Sequence, residues 1–228
     1  MTEITEVKSK RGYDSRLEKV MQSNFDKVYN ICGITYSRCA DRKNQLLGSD
    51  LVAQKAAKSY NIDEKCATDC SGRNLRTFAL ELSAEICNKK TRISTGKRVD
   101  GWFLKEDSKT DVYAFAYVRA NSKEDLCNNN ITRFEVLFVK KQKLIKYISE
   151  IIGTPSELKK LDEDFRKEVL EGKVAACGEE GKRRYKRTIN KDFSLCWSIQ
   201  LAESPVNLLV SKSLLKKLSF KRVAFELD

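Results

Sequence analysis

The chain has 228 residues, 44 Lys+Arg against 32 Asp+Glu for a net charge of +12, 41% hydrophobic residues and no histidine. That length suits one globular domain, or a domain with a substantial appendage, and a basic chain that keeps so many acids points to a polyanionic partner, most often nucleic acid. Without histidine there is no Ser-His-Asp triad, no Cys-His dyad and no His-based metalloprotease site, so acid–base chemistry falls to carboxylates, lysine, tyrosine or metal-bound water.

Residues 1–12 are polar and expected to fray. From Asp14 the apolar residues Leu17, Val20, Met21, Phe25, Val28 and Tyr29 recur at three- and four-residue spacing, which predicts a helix to about Asn30, capped by Asp14 or Ser15. Strand-like runs follow. "NQLLGSDLVAQ" and "YNIDEKCAT" are short apolar runs, and "RTFALELSAEI" alternates, with Phe78, Leu80 and Leu82 on one face. "GWFLKEDSKTDVYAFAYVRA" predicts two short strands around a charged turn, and "ITRFEVLFVKK" a strand running into the amphipathic helix "QKLIKYISEIIG". Pro155 opens a helix, "SELKKLDEDFRKEVLEG", charged all round and so expected to be exposed or an arm. "GEEGKRRYKRTINKD" is a basic loop or hairpin entry; "FSLCWSIQL" is a strand, "NLLVSKSLLKKLSF" a strand–helix pair and "KRVAFELD" an edge strand. The expected fold is mixed α/β: a flexible 1–12, a core over 13–153 and a C-terminal strand–helix extension over 154–228.

The eight cysteines, Cys32, Cys39, Cys66, Cys70, Cys87, Cys127, Cys177 and Cys196, are scattered, mostly in apolar runs. They read as reduced thiols rather than a zinc or disulfide framework. No apolar run is long enough to span a membrane, which needs about 18 residues or more, and the N-terminus lacks an apolar signal core. A cytoplasmic location is expected.

Two charged spots on strand-like runs carry the chemistry. In "LLGSDLVAQKAAKSYNIDEKCATD", Asp50 follows Gly48, where the backbone can bend, and Asp63, Glu64 and Lys65 stand together further on. Strand alternation puts Asp63 and Lys65 on one face and Ile62, Glu64 and Cys66 on the other. Asp50 and Asp63 can converge with the Lys65 amine beside them. Two close carboxylates repel unless a cation lies between them, and Mg²⁺ prefers such hard oxygens together with water. A lysine nearby can orient or deprotonate a water and stabilise charge on a phosphate. That set supports phosphodiester hydrolysis without histidine; the plain alternative is an exposed charged turn.

Asp50 followed by Asp63-x-Lys65, with "DRKNQLLGSDLV", "IDEKC", "TFALELS", "GWFL" and "KTDVYAFAYV" in that order, resembles the PD-(D/E)XK nuclease superfamily, in particular its uncharacterised bacterial and phage members. The resemblance covers roughly residues 14–150, and "LAESPVNLLVSKSLL" is similar to the tails of the same group. It implies a restriction-endonuclease-like central mixed β-sheet flanked by helices, with Asp50 and Asp63 as metal-binding acids and Lys65 as the catalytic lysine. It also implies an acid from the first helix, with Glu18 ahead of Asp26, and one on the following strand. Glu81 fits that last place as a catalytic and metal-binding residue, or is an outward-facing strand glutamate. Ser49 stands where the signature often has proline.

Among the remaining residues, "GKRRYKR" is the densest basic patch. Lys182, Arg183, Arg184, Tyr185, Lys186 and Arg187 are the candidates for phosphate contact there, against a solvated hairpin. Lys140, Lys141, Lys143 and Lys146 form a second cluster. Gln45 can face the same cleft as Asp50 or simply reflect strand polarity. Asp111 reads as a turn cap or a partner of Lys109, and Trp102, Tyr113, Phe115 and Tyr117 as core packing or base-stacking rings. The leading expectation is a Mg²⁺-dependent endodeoxyribonuclease, with Mn²⁺ able to substitute, acting on double-stranded DNA in restriction, phage or mobile-element biology; a homodimer would suit two-strand cuts. The alternative is a catalytically inactive nucleic-acid-binding or assembly module of the same fold. A toxin- or immunity-type partner of an acidic protein ranks last.

Overall fold

A computed structural model describes residues 2–55, 57–69, 74–87, 94–177, 184–199, 201 and 203–226. In chain order the elements are α1 (Thr2–Ile31), β1 (Thr35–Arg38), α2 (Arg42–Leu46), β2 (Leu51–Lys55), β3 (Lys58–Asp69), β4 (Thr77–Cys87) and β5 (Ser94–Asp100). Then come β6 (Val112–Ala120), α3 (Lys123–Cys127), β7 (Ile131–Lys140), α4 (Lys141–Ile151) and α5 (Pro155–Leu170). The chain closes with β8 (Ala176–Cys177), β9 (Arg184–Thr188), β10 (Phe193–Ser198), β11 (Val206–Ser211), α6 (Lys212–Leu218) and β12 (Lys221–Glu226).

The chain is mixed α/β, and its described strands form two six-stranded sheets in place of the single central sheet expected. Two compact units interleave in sequence. The first takes residues 1–75, 110–139 and 219–228; the second takes 76–109 and 140–218. The expected boundary at residue 153 falls inside the second unit, and the final strand returns to the first. No helix among the described residues is long and apolar enough to cross a membrane.

The first unit's sheet runs β1-β2-β3-β6-β7-β12. It is mixed: β2 pairs antiparallel with β1 and β3, while β3 and β6 run parallel. Parallel neighbours need a crossover between them, and the chain leaves for the second unit between β3 and β6. Helix α1 starts well before the expected Asp14 and buries Met21, Phe25, Val28 and Tyr29, the spacing of one helical face. These pack in one core with Leu51, Ala53, Ile62, Ala114, Ala116, Val118, Phe134, Val136 and Phe138. The Phe25 and Phe134 rings meet edge to face at 5.4 Å, a geometry that adds about 0.5–1.5 kcal/mol beyond burial. On β6 the small and branched residues Val112, Ala114, Ala116 and Val118 face this core, while Tyr113, Phe115 and Tyr117 are buried on the other side.

The second unit's sheet runs β5-β4-β11-β10-β9-β8. Phe78, Leu80, Val210, Leu208, Phe193 and Leu195 lie in register across β4, β11 and β10 and form its buried face. Helix α5 is not an exposed arm. It begins with a complete capping box, Thr154 with Glu157, and buries Leu158, Phe165 and Val169 together with Asp162 and Arg166. The two buried charges are spaced i, i+4 and pair at 3.0 Å, so the helix carries charge on its core face without leaving it uncompensated. "GWFL" forms a turn rather than a strand. There Gly101 sits so close to β4 that a Cβ would come within 2.3 Å of the Glu81 carbonyl oxygen.

Candidate active site on the first unit

Asp50 stands at the entrance to β2, and its position is fixed by what precedes it. The short α2 is capped by the Asp41 side chain, which accepts from the Lys43 amide at 2.9 Å. Gly48 then turns the chain at φ +75°, a left-handed conformation that favours glycine. Its carbonyl accepts a hydrogen bond from Thr110 Oγ1 at 2.8 Å. The Asp50 amide donates to the Ile62 carbonyl at 3.0 Å, and its carbonyl accepts from the Cys39 amide at 2.8 Å. Its side chain then takes the place of a backbone acceptor: Asp50 Oδ2 accepts from the Glu64 amide at 2.7 Å. One residue earlier, the buried Ser49 donates to Asn61 Oδ1 at 3.0 Å. Asp111 clamps Asn61, accepting from the Asn61 amide at 2.8 Å and from its side-chain nitrogen at 3.2 Å.

On β3 the alternation splits the triplet. Asp63 is 2% exposed, and Lys65 Nζ lies 2.6 Å from its Oδ1. The Asp50 carboxyl lies near enough to Asp63 for its charge to be felt there. Burial pushes the Asp63 carboxyl up to about 6, with the Asp50 carboxyl adding to the rise and Lys65 opposing it. Tyr113, opposite Asp63 in the parallel register, has its hydroxyl pushed up by burial and by the Asp63 charge. Asp50, Asp63 and Lys65 therefore form one cluster.

Glu64 points the other way, into the α1 side of the sheet. Its Oε1 accepts from Tyr29 Oη at 2.9 Å and its Oε2 from Arg38 Nη1 at 3.1 Å. Arg38 Nη2 also reaches Asp26 Oδ1 at 2.6 Å, and Tyr36 Oη donates to the same oxygen at 2.6 Å. Burial lifts the Glu64 carboxyl to about 7, against the pull of Arg38 and Tyr29. Arg38, Tyr29 and Tyr36 are not foreseen as polar partners. Nothing in their local spacing marks them; they meet Glu64 and Asp26 only once β1 has paired with β2.

The other anticipated residues scatter. Glu18 is exposed on α1, and the helix acid tied into the polar network is Asp26. Glu81 lies in the second unit on β4, opposite Asn207, and alternation turns it away from the Phe78–Leu80 core. Gln45 uses its side-chain nitrogen to hold the Cys39 carbonyl at 2.9 Å. Of the basic patch, Lys182 and Arg183 lie outside the described residues. Arg184 and Lys186 are exposed on one face of β9. Tyr185 and Arg187 take the other face, with Tyr185 beside the Trp197 ring at 6.3 Å. Arg187 forms a two-pronged pair with Glu168 at 2.6 and 2.7 Å and stacks over Phe165, so it is a packing residue. In the second lysine cluster, Lys143 donates to the Leu218 carbonyl and Lys141 to that of Ser108.

Among the described residues no group of three or more Asp, Glu or Cys side chains is gathered closely enough to hold a metal ion by itself. The donor set is two adjoining carboxylates, Asp50 and Asp63. That fits Mg²⁺, which is commonly bound through one or two carboxylates with water and substrate phosphate filling the rest of its shell. Burial first, and the Asp50 charge after it, disfavour the ionised Asp63 carboxyl, a cost that a cation bound there would offset. In comparisons with known proteins, the chain matches no family model, no curated protein and no solved structure.

Proposed function

We propose that the first unit is a metal-dependent phosphodiesterase acting on DNA, a nuclease of restriction-endonuclease-like type. The observation that carries this is the convergence of Asp50, Asp63 and Lys65: the Asp50 carboxylate accepts from the Glu64 amide at 2.7 Å, between Asp63 and Lys65 in the chain, and the Lys65 amine lies 2.6 Å from Asp63. The net charge of +12 supports a polyanionic substrate. Asp50 and Asp63 would hold Mg²⁺, which when bound supplies Lewis acidity and a water of lowered pKa. Asp63, poised near neutrality, is the carboxyl whose ionisation completes the pair. Lys65 carries its charge beside the carboxylates, where it can orient the attacking water and offset negative charge on the phosphate oxygens. Exposed Arg184 and Lys186 on the second unit are the candidates for sequence-independent contact with phosphates.

A second reading is a binding module without cleavage. The observation favouring it is the same 2.6 Å ion pair, since Lys65 balances the Asp63 charge without help. Nicking of supercoiled plasmid by the full chain in Mg²⁺, with and without a chelator, and set against a labelled RNA of similar length, distinguishes them. Metal-dependent nicking of DNA supports the nuclease. Binding with intact plasmid at every metal concentration supports the module.

A further inference from the structure

The Asp50 carboxylate lies between two strands that do not pair with each other. Strand β2 separates β1 from β3, with Arg38 opposite Leu51 on one side and Leu51 opposite Ile62 on the other. Both outer strands hold Asp50: the Cys39 amide, next after β1, donates to its carbonyl at 2.8 Å, and the Glu64 amide of β3 donates to Oδ2 at 2.7 Å. A side-chain contact joins the two outer strands directly. Arg38, the last residue of β1, crosses the start of β2 on the α1 face and reaches Glu64 Oε2 at 3.1 Å and Oε1 at 3.3 Å. Its position is fixed from α1, where Asp26 Oδ1 accepts at 2.6 Å and the Gln22 carbonyl at 3.2 Å. Tyr29 Oη holds the same Glu64 carboxylate at 2.9 Å. The side chains of Arg38 and Glu64 are 21% and 11% exposed, so the pair is largely out of water. An ion pair in such a place often contributes little net stability over apolar residues of the same size, and its best-attested use is to fix a register.

We propose that Arg38 and Glu64 are positioning residues for the Asp50 carboxylate, their ion pair holding the Glu64 amide where it donates to Asp50 Oδ2. The pair sits on the face of the sheet opposite Asp63 and Lys65, so it acts through the β3 backbone and touches neither substrate nor metal. Its functional meaning rests on Asp50 being a metal-holding residue, but the hydrogen bond itself can be read without any turnover. Outer partners of this kind typically change metal affinity by about 10-fold to 100-fold when lost.

The test uses the full chain, labelled with ¹⁵N, as wild type, Arg38→Met, Arg38→Lys, Glu64→Gln and, as a control elsewhere, Lys159→Met. The Glu64 amide is followed by its proton resonance and hydrogen exchange, and Mn²⁺ binding by paramagnetic broadening of the Asp63 and Lys65 amides. Arg38→Met is expected to move the Glu64 amide upfield and speed its exchange about tenfold relative to the other β3 amides, with Mn²⁺ affinity down by about tenfold. Arg38→Lys recovers part of both, and Lys159→Met changes neither. An unchanged Glu64 amide in Arg38→Met overturns the proposal. If Arg38→Met does not fold, the same comparison in Arg38→Lys and Glu64→Gln decides it. Wild type that fails to bind Mn²⁺ removes the metal reading of Asp50 while leaving the amide result to stand or fall by itself.

Discussion

At the scale of single residues, Asp63 links stability to the proposed chemistry. Its folded carboxyl sits near 6 against an ordinary 3.8, raised first by burial. Between those values the folded chain holds more proton than the unfolded one, so stability falls as pH rises through that window. Asp63→Asn is therefore expected to raise thermal stability at pH 8 by about 1–3 kcal/mol, since each tenfold difference in proton affinity between folded and unfolded chain is worth about 1.4 kcal/mol. At pH 4 the gain should shrink toward zero. Lys65, 25% exposed, can turn to solvent when its partner is neutralised. Melting curves of the two proteins at pH 4 and 8 check this, and a variant less stable at pH 8 would contradict it. Asp63 and Lys65 are legible as neighbours in the sequence because alternation on a strand assigns side chains to faces without reference to the rest of the fold; Asp50, just before β2, is placed instead by the bend at Gly48. Glu64 can be sent to the opposite face on the same grounds. Its partners cannot be named, because Arg38 and Tyr29 reach it through pairing and helix packing that no local pattern encodes. Glu18 and Asp26 raise the same difficulty: both lie on one helix, and only the place of β1 decides which acid meets a base.

At the scale of elements, periodicity locates most strands and helices but misjudges the surroundings of α5. A helix with Lys159, Lys160, Asp162, Glu163, Asp164, Arg166, Lys167 and Glu168 reads as solvated on every side. In the structure Arg166 stacks over the Trp197 ring at 4.7 Å, donates to Ser83 Oγ at 2.8 Å and pairs with Asp162. A β-bulge in β4 where it meets Val206 and Asn207 turns Ser83 to that side. Charge cancellation on the buried face is invisible to a hydrophobic pattern. Arg166→Ala leaves Asp162 buried and unbalanced, and is expected to cost about 3–5 kcal/mol in urea unfolding. Phe165→Ala should cost a similar amount, about 3–5 kcal/mol, by opening a cavity. Exposed Lys167→Ala should stay within about 0.5 kcal/mol. Equal effects for Arg166→Ala and Lys167→Ala would show that the helix is the arm its composition suggests. "GWFL" reads as a strand because its aromatic run has strand composition. What makes it a turn is Gly101 lying against the Glu81 carbonyl, a contact set by tertiary packing.

At the scale of the whole molecule, the linear division into a core and a C-terminal extension gives way to two interleaved units. Long-range pairing explains why composition does not show it. Strand β4 pairs with β11, far along the chain, and β12 returns to β7. The charge surplus belongs to the chain as a whole, but the β9 side chains divide between exposed Arg184 and Lys186 and packed Arg187. Arg184→Ala with Lys186→Ala is expected to weaken DNA binding at every sequence and to lower the slope of log affinity against log salt by about 1–2. Arg187→Ala should instead lower the melting temperature and leave that slope unchanged. Titrations at three or more salt concentrations separate the two. The central claim is that Asp50, Asp63 and Lys65 together hydrolyse a phosphodiester. The most direct measurement is the rate of Mg²⁺-dependent plasmid nicking by wild type, Lys65→Ala and Asp63→Asn, each shown to be folded at the assay temperature. Wild type is expected to nick, with a loss of about 10²-fold or more in both variants; equal rates in all three, or no nicking by any, would contradict that claim.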